Sequence, residues 1–252
     1  MGTGTAAAQS EPVGQPAKMS ELARLTGVLW EPGGAFRDIA AHPRWWPPLA
    51  IIVVLSLVFV NAFSQRVGYE RFYRGLAETN SRMQSMDPAA REQTVNMQVK
   101  VAPYAFNILS VIGTPIMALI VAAIFLLIFK TFLGAEVTFR QVYAVCCYSL
   151  VPLIFSTIMA LAVLLLKDPD QFDLQNPTPT NIGAFLDAVS TPKGLYSLAT
   201  SVDAFTLWVL ALLATGLSVA ARKISWATSF TWVAGSWAIW VLIKMGWAAA
   251  FG

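Results

Sequence analysis

The stretch VYAVCCYSLVP, Val142 to Pro152, places two adjacent thiols, two phenols and a serine hydroxyl inside an otherwise apolar run. Thiols are the first candidates for metal or redox chemistry, but their spacing argues against both. On a helix Cys146 and Cys147 project about 100° apart, so they cannot face one ligand, and they lack the C-x-x-C spacing of a zinc or disulfide centre. The single histidine, His42, lies far away in the sequence, which leaves no zinc shell to assemble. No metal or cofactor is expected. The two cysteines read instead as small packing groups, and with Ala144 and Ser149 they let a neighbouring helix approach closely.

Asp168-Pro169-Asp170 lacks the glycine and the spaced oxygen ligands of a helix-loop-helix calcium site. A Gly-rich phosphate loop, a nucleophile elbow and an H-E-x-x-H motif are all missing, and the carboxylates lie mostly in connections without a paired arrangement. No catalytic residue is assigned, and the chain is read as a non-enzyme. Four polar residues remain. Asn61, Asn107, Asp203 and Lys244 all fall toward one end of the apolar runs, where they would line a polar cavity. Asp203 and Lys244 lie about twenty residues on either side of a turn near Arg222 to Ser225, so both sit roughly 30 Å from it and are expected to be neighbours. The alternative is that Lys244 snorkels to the headgroups while Asp203 caps its own helix. Pro115 and Pro152 lie at nearly equal depth from a turn at Gly134 and are expected to act as helix kinks.

The elements that would carry these residues follow from composition. Apolar residues make up 56% of the 252 and charged residues only 12%, so most of the surface is not meant for water. Five runs are long enough to cross a hydrocarbon core of about 30 Å as helices: about 47–64, 107–133, 142–166, 204–221 and 227–249. They are continuously apolar rather than alternating, which excludes a barrel. The net charge of +3 is too small and dispersed for nucleic acid. Arg222 and Lys223, and Lys130 and Arg140, mark the two shortest connections as cytoplasmic, whereas Asp168, Asp170, Asp173 and Asp187 suit the opposite side. The N-terminus is then cytoplasmic. The segment from Gln65 to Pro103 runs against the rule with six basic residues, offset by four acids.

Residues 1–18 carry almost no large apolar side chain and read as a disordered tail. From Ser20, Leu22, Leu25, Val28 and Leu29 recur at helical spacing with Glu21 and Arg24 off that stripe; Pro32-Gly33-Gly34 interrupts it, and Phe36 and Ile39 restart it. Two short interfacial helices anchored by Trp45 and Trp46 fit this pattern, as does a helix packed under the bundle. After the first span, Tyr69, Phe72, Tyr73 and Leu76 give an apolar stripe on which the helix would continue, and Asp87-Pro88 supplies a cap for the next helix, with Val95, Val99 and Ala102 as its stripe. A helical hairpin outside the membrane is expected.

The N-terminal GVLWEPGGAFRDIAAHPRWWPPL, the pattern Phe139-Arg140-Gln141-Val142-Tyr143 followed by Tyr148-Ser149-Leu150-Val151-Pro152, and the segment Leu198 to Ser218 with Asp203, Phe205, Trp208 and Gly216-Leu217-Ser218 together resemble the bacterial branch of the Yip family, five-span relatives of the Rab-interacting Yip proteins. The resemblance runs from about Glu21 to the C-terminus, which makes 19–252 one Yip-type membrane domain and implies the bacterial inner membrane. In eukaryotic members it implies a cytoplasmic N-terminal region that engages prenylated Rab GTPases. Here the Asp-Leu-Tyr-Gly-Pro type of motif at span two is missing and the tail is short, so a Rab-type GTPase is not the expected partner.

The function expected on these grounds is that of a non-enzymatic scaffold that organises lipids or a protein partner, a second copy of the chain included. The alternative is a permease for a small solute or ion, built on the cavity of Asn61, Asn107, Asp203 and Lys244.

Overall fold

The computed structural model describes residues 18–187 and 190–251. The helices are α1 (Glu21–Trp30), α2 (Pro32–Ala41), α3 (Trp46–Arg66), α4 (Tyr69–Thr79), α5 (Ser81–Gln84), α6 (Pro88–Leu127, prolonged by a π-helical turn at Ile128–Phe132), α7 (Phe139–Ser149), α8 (Pro152–Leu166), α9 (Lys193–Ser201), α10 (Ala204–Ala221) and α11 (Trp226–Phe251). Five segments are long and apolar enough to cross a bilayer: Trp46–Arg66, Pro88–Phe132, Phe139–Leu166, Ala204–Ala221 and Trp226–Ala250. The all-α polytopic architecture expected from the apolar runs is the one observed. The expected disordered tail lies, apart from Lys18, outside the described residues.

Local chemistry sets the helix ends. Asp87 accepts from the amides of Ala89 and Ala90 with Pro88 in the first turn, so α6 starts where its cap predicts and runs unbroken through Pro103 and Pro115. Span three is divided instead. The amides of Leu150 and Val151 turn back to the carbonyls of Cys147 and Tyr148 at 3.3 and 3.2 Å, and Pro152 then opens α8 as a fresh helix. The helix expected to continue past span one stops at Gly68, whose φ of +80° only glycine adopts without penalty. The chain turns there, and the Tyr69, Phe72, Tyr73 stripe of α4 packs back toward α6.

Two apolar cores form at the two ends of α3, with Leu49 in one and Phe63 in the other, about 21 Å apart at 1.5 Å per residue. Phe63 stacks on Phe106 and meets Tyr69, Phe72 and Phe172 edge-on or tilted. Beside it Arg66 donates to the carbonyls of Leu164 and Lys167 at 2.8 and 3.2 Å, covering the unpaired end of α8. In the other core α7 is buried at every position from Val142 to Ser149, between α2, α6 and α10. Cys146 and Cys147 are part of it as free, buried thiols.

The same end holds the α10–α11 turn, which is a tight γ-turn. Arg222 has φ +54° and ψ −47°, and the Lys223 amide donates to the carbonyl of Ala221. Ser229 Oγ donates to the Ala214 carbonyl at 2.7 Å and Trp226 Nε1 to Thr215 Oγ1 at 3.0 Å, which locks the hairpin.

Candidate functional site

A dense cluster of charged and polar side chains lies where the N-terminal helix pair meets the bundle. Ser20 caps α1 by accepting from the Ala23 amide at 3.2 Å, and Glu31 both closes α1 and precedes Pro32, the first residue of α2. Pro32-Gly33-Gly34 therefore begins a helix rather than merely interrupting one. The two helices pack closely at Gly27, where an added Cβ would sit 3.2 Å from Ala35 Cβ.

The buried face of α1 is not the one the leucine spacing suggests. Leu22 is 72% exposed and Trp30 86%, whereas Arg24 is wholly buried beside Val28. The reason is a partner on α2: Arg24 Nε donates to Asp38 Oδ2 at 2.6 Å, and Arg24 Nη1 lies 3.4 Å from both carboxylate oxygens of Glu21. Burying an arginine is tolerable only with such pairing. Burial disfavours the charged guanidinium, but the hydrogen bond and charge of Asp38, with the charge of Glu21, outweigh it and hold Arg24 above its ordinary pKa. Arg24 Nη2 is buried without a hydrogen-bond partner among the described residues.

The cluster continues into the bundle. Tyr148 OH, on α7, donates to Glu21 Oε2 at 2.7 Å, and Arg44 Nη1 reaches Glu21 Oε1 at 3.2 Å. Asp38 Oδ1 also accepts from the Met19 amide at 3.3 Å and faces His42 Nδ1 at 3.5 Å. At the start of α7, Gln141 Nε2 donates to the Ala40 carbonyl at 3.0 Å and Arg140 Nε to that of Pro43 at 3.1 Å, covering the end of α2, while Tyr143 packs on Trp45. Below this lies a close helix approach: a Cβ on Gly216 of α10 would fall 2.5 Å from Val145 Cγ1 and 2.9 Å from the Phe36 ring. Two carboxylates face two guanidiniums, so the cluster is self-neutralising. Its chemistry is that of a latch, which fastens α1 and α2 to α7 and α10.

The four residues expected to line a polar cavity each have a polar partner outside that group. Asn61 Nδ2 donates to the Leu57 carbonyl at 2.8 Å and Asn107 Nδ2 to that of Pro103 at 2.7 Å, each within its own helix. Lys244 Nζ donates to Ser201 Oγ at 3.1 Å rather than pairing with Asp203. Asp203 caps α10 through the amides of Phe205 and Thr206, at 2.9 and 3.1 Å, and accepts from the Thr180 hydroxyl, which ties the preceding loop to the helix. Asp203 and Lys244 thus form no ion pair among the described residues, each bonding another polar group instead. Of the two expected kinks, Pro152 divides its span and Pro115 does not.

The arrangement defines a polytopic helical membrane protein whose N-terminal amphipathic pair is folded into one end of its bundle. The chain belongs to the Yip1 domain family, whose model matches residues 26–248. No curated protein and no solved structure matches it. The pattern residues Arg140, Gln141, Tyr143, Tyr148 and Gly216 are those that fasten the N-terminal pair. Sequence reasoning passed over the pairing of Arg24 with Asp38. The signal was there: Arg24 and Val28 are four apart, and an acid stands at the matching place on the next helix.

Proposed function

We propose that this Yip1 domain protein is a non-enzymatic scaffold of the bacterial inner membrane, with its latched N-terminal pair as the platform that meets lipids or a partner. The Yip1 family is not a known enzyme family. The observation that carries the reading is the burial of Arg24 between Glu21 and Asp38. A helix pair held by a buried ion cluster is a fixed surface, not a tether. Around it Trp30, Trp45, Trp46 and Trp226 are exposed, with Arg37, Arg44, Arg140 and Arg222 also exposed on the same end. Aromatic rings and cations together suit the headgroup zone of an anionic leaflet, and the excess of cations favours the cytoplasmic side for this end.

Affinity purification from native membranes tests the scaffold. A stoichiometric protein partner, or a homo-oligomer, that is lost when Arg24 is replaced by Met supports it. Recovery of a lone monomer that conducts a solute in proteoliposomes would overturn it in favour of a permease. Cysteines placed beside Arg222 and at Gln175 test the orientation: impermeant reagent outside intact cells should label only the second.

A further inference from the structure

A lateral crevice of about 430 Å³ opens between α3, α6 and α8 below the aromatic core around Phe63. That volume lies within the range of about 300–1,000 Å³ typical of small-ligand sites. Its walls are apolar, with Phe59, Phe106 and Leu109 among them, and Leu174 and Pro177 of the following loop also border it. Five hydroxyl side chains converge there: Ser56, Ser110, Thr114, Ser156 and Thr157. These are five of the seven serines and threonines of α3, α6 and α8. Three separate helices thus bring hydroxyls to one place, and no charged residue lines it.

Depth and donor count narrow the occupant. Ser56 and Thr157 each lie seven residues, about 10 Å, inward from Phe63 and Leu164 of the aromatic core, beneath the headgroup zone. A phosphate or ammonium drawn to that depth would lose its hydration with no countercharge, whereas an uncharged alcohol would not. Ser110 Oγ already donates to the Phe106 carbonyl at 2.7 Å and Thr157 Oγ1 to that of Leu153 at 2.9 Å. A hydroxyl has one proton to give, so toward the crevice these two can only accept. The ligand they suit must donate.

We propose that this crevice binds one uncharged lipid carrying a free hydroxyl, of the diacylglycerol class, with an acyl chain against the apolar wall and its O–H on Ser110 or Thr157. The inference stands apart from the scaffold reading, because it concerns the opposite core and a different set of residues.

Photo-crosslinking of the purified full-length protein in phosphatidylcholine nanodiscs containing a diacylglycerol with a diazirine on its acyl chain tests it. The label should map to peptides containing Phe59, Leu109 or Leu174, and should be displaced by unlabelled diacylglycerol but not by triacylglycerol, which has no O–H. The double variant Ser110→Ala, Thr157→Val should lower the yield about fivefold, the loss expected for one hydrogen bond, at an unchanged unfolding temperature. If that variant does not fold, the competition in the unaltered protein decides. Equal displacement by both lipids would identify ordinary boundary lipid and overturn the proposal, as would the absence of labelling at these peptides.

Discussion

Arg24 and Asp38 meet at 2.6 Å between α1 and α2, and the arginine side chain is withdrawn completely from solvent while the aspartate keeps only a slight exposure. The pair joins two helices of only ten residues each. Isolated helices of ten residues are marginal in water, so α1 and α2 depend on what they dock against.

Removing one partner of such a pair strands the other charge. Arg24→Met or Asp38→Asn is expected to destabilise the protein by about 3–5 kcal/mol. The double variant Arg24→Met, Asp38→Asn should lose less than the sum. Thermal unfolding in detergent of the three variants measures the coupling, and additivity within about 0.5 kcal/mol would show that the two side chains do not depend on one another.

Gly216 sets how near α10 comes to α2 and α7. An alanine there would force its Cβ against Val145 Cγ1 and the Phe36 ring. Gly216→Ala is expected to cost about 1–3 kcal/mol by overpacking. Val145→Ala in the same chain removes the nearest atom and should restore part of that loss, whereas a neutral Gly216→Ala would mean that the three helices are not tightly joined.

Asp203 and Lys244 have separate partners, Thr180 with the cap of α10 in one case and Ser201 in the other. Asp203→Ala should therefore cost about 1 kcal/mol as a lost cap, and Lys244→Met should add to it without coupling. A coupling above about 0.5 kcal/mol in their double-mutant cycle would restore the ion pair.

What the sequence revealed and what it hid divide along physical lines. The five spans, the Asp87-Pro88 start of α6 and the apolar stripe of α4 follow from local patterns of hydropathy and capping, and all are observed. The rotation of α1 was hidden. An unpaired arginine belongs in water, and only the fold, by bringing Asp38 beside it, makes its burial tolerable. The same holds for Asp203 and Lys244: depth along two helices was legible, but depth says nothing about a threonine in a loop or a serine at the end of α9 that lies nearer. The crevice hydroxyls were visible singly, and their convergence required the packing of three helices.

The N-terminal pair is part of the bundle, and amide hydrogen exchange of the protein in nanodiscs measures that directly. The amides of Val28 to Ile39 should exchange as slowly as those of α7 and α10, and should become fast, ahead of the rest of the bundle, in the Arg24→Met variant. Fast exchange of these amides in the unaltered protein, with α7 and α10 protected, would contradict it.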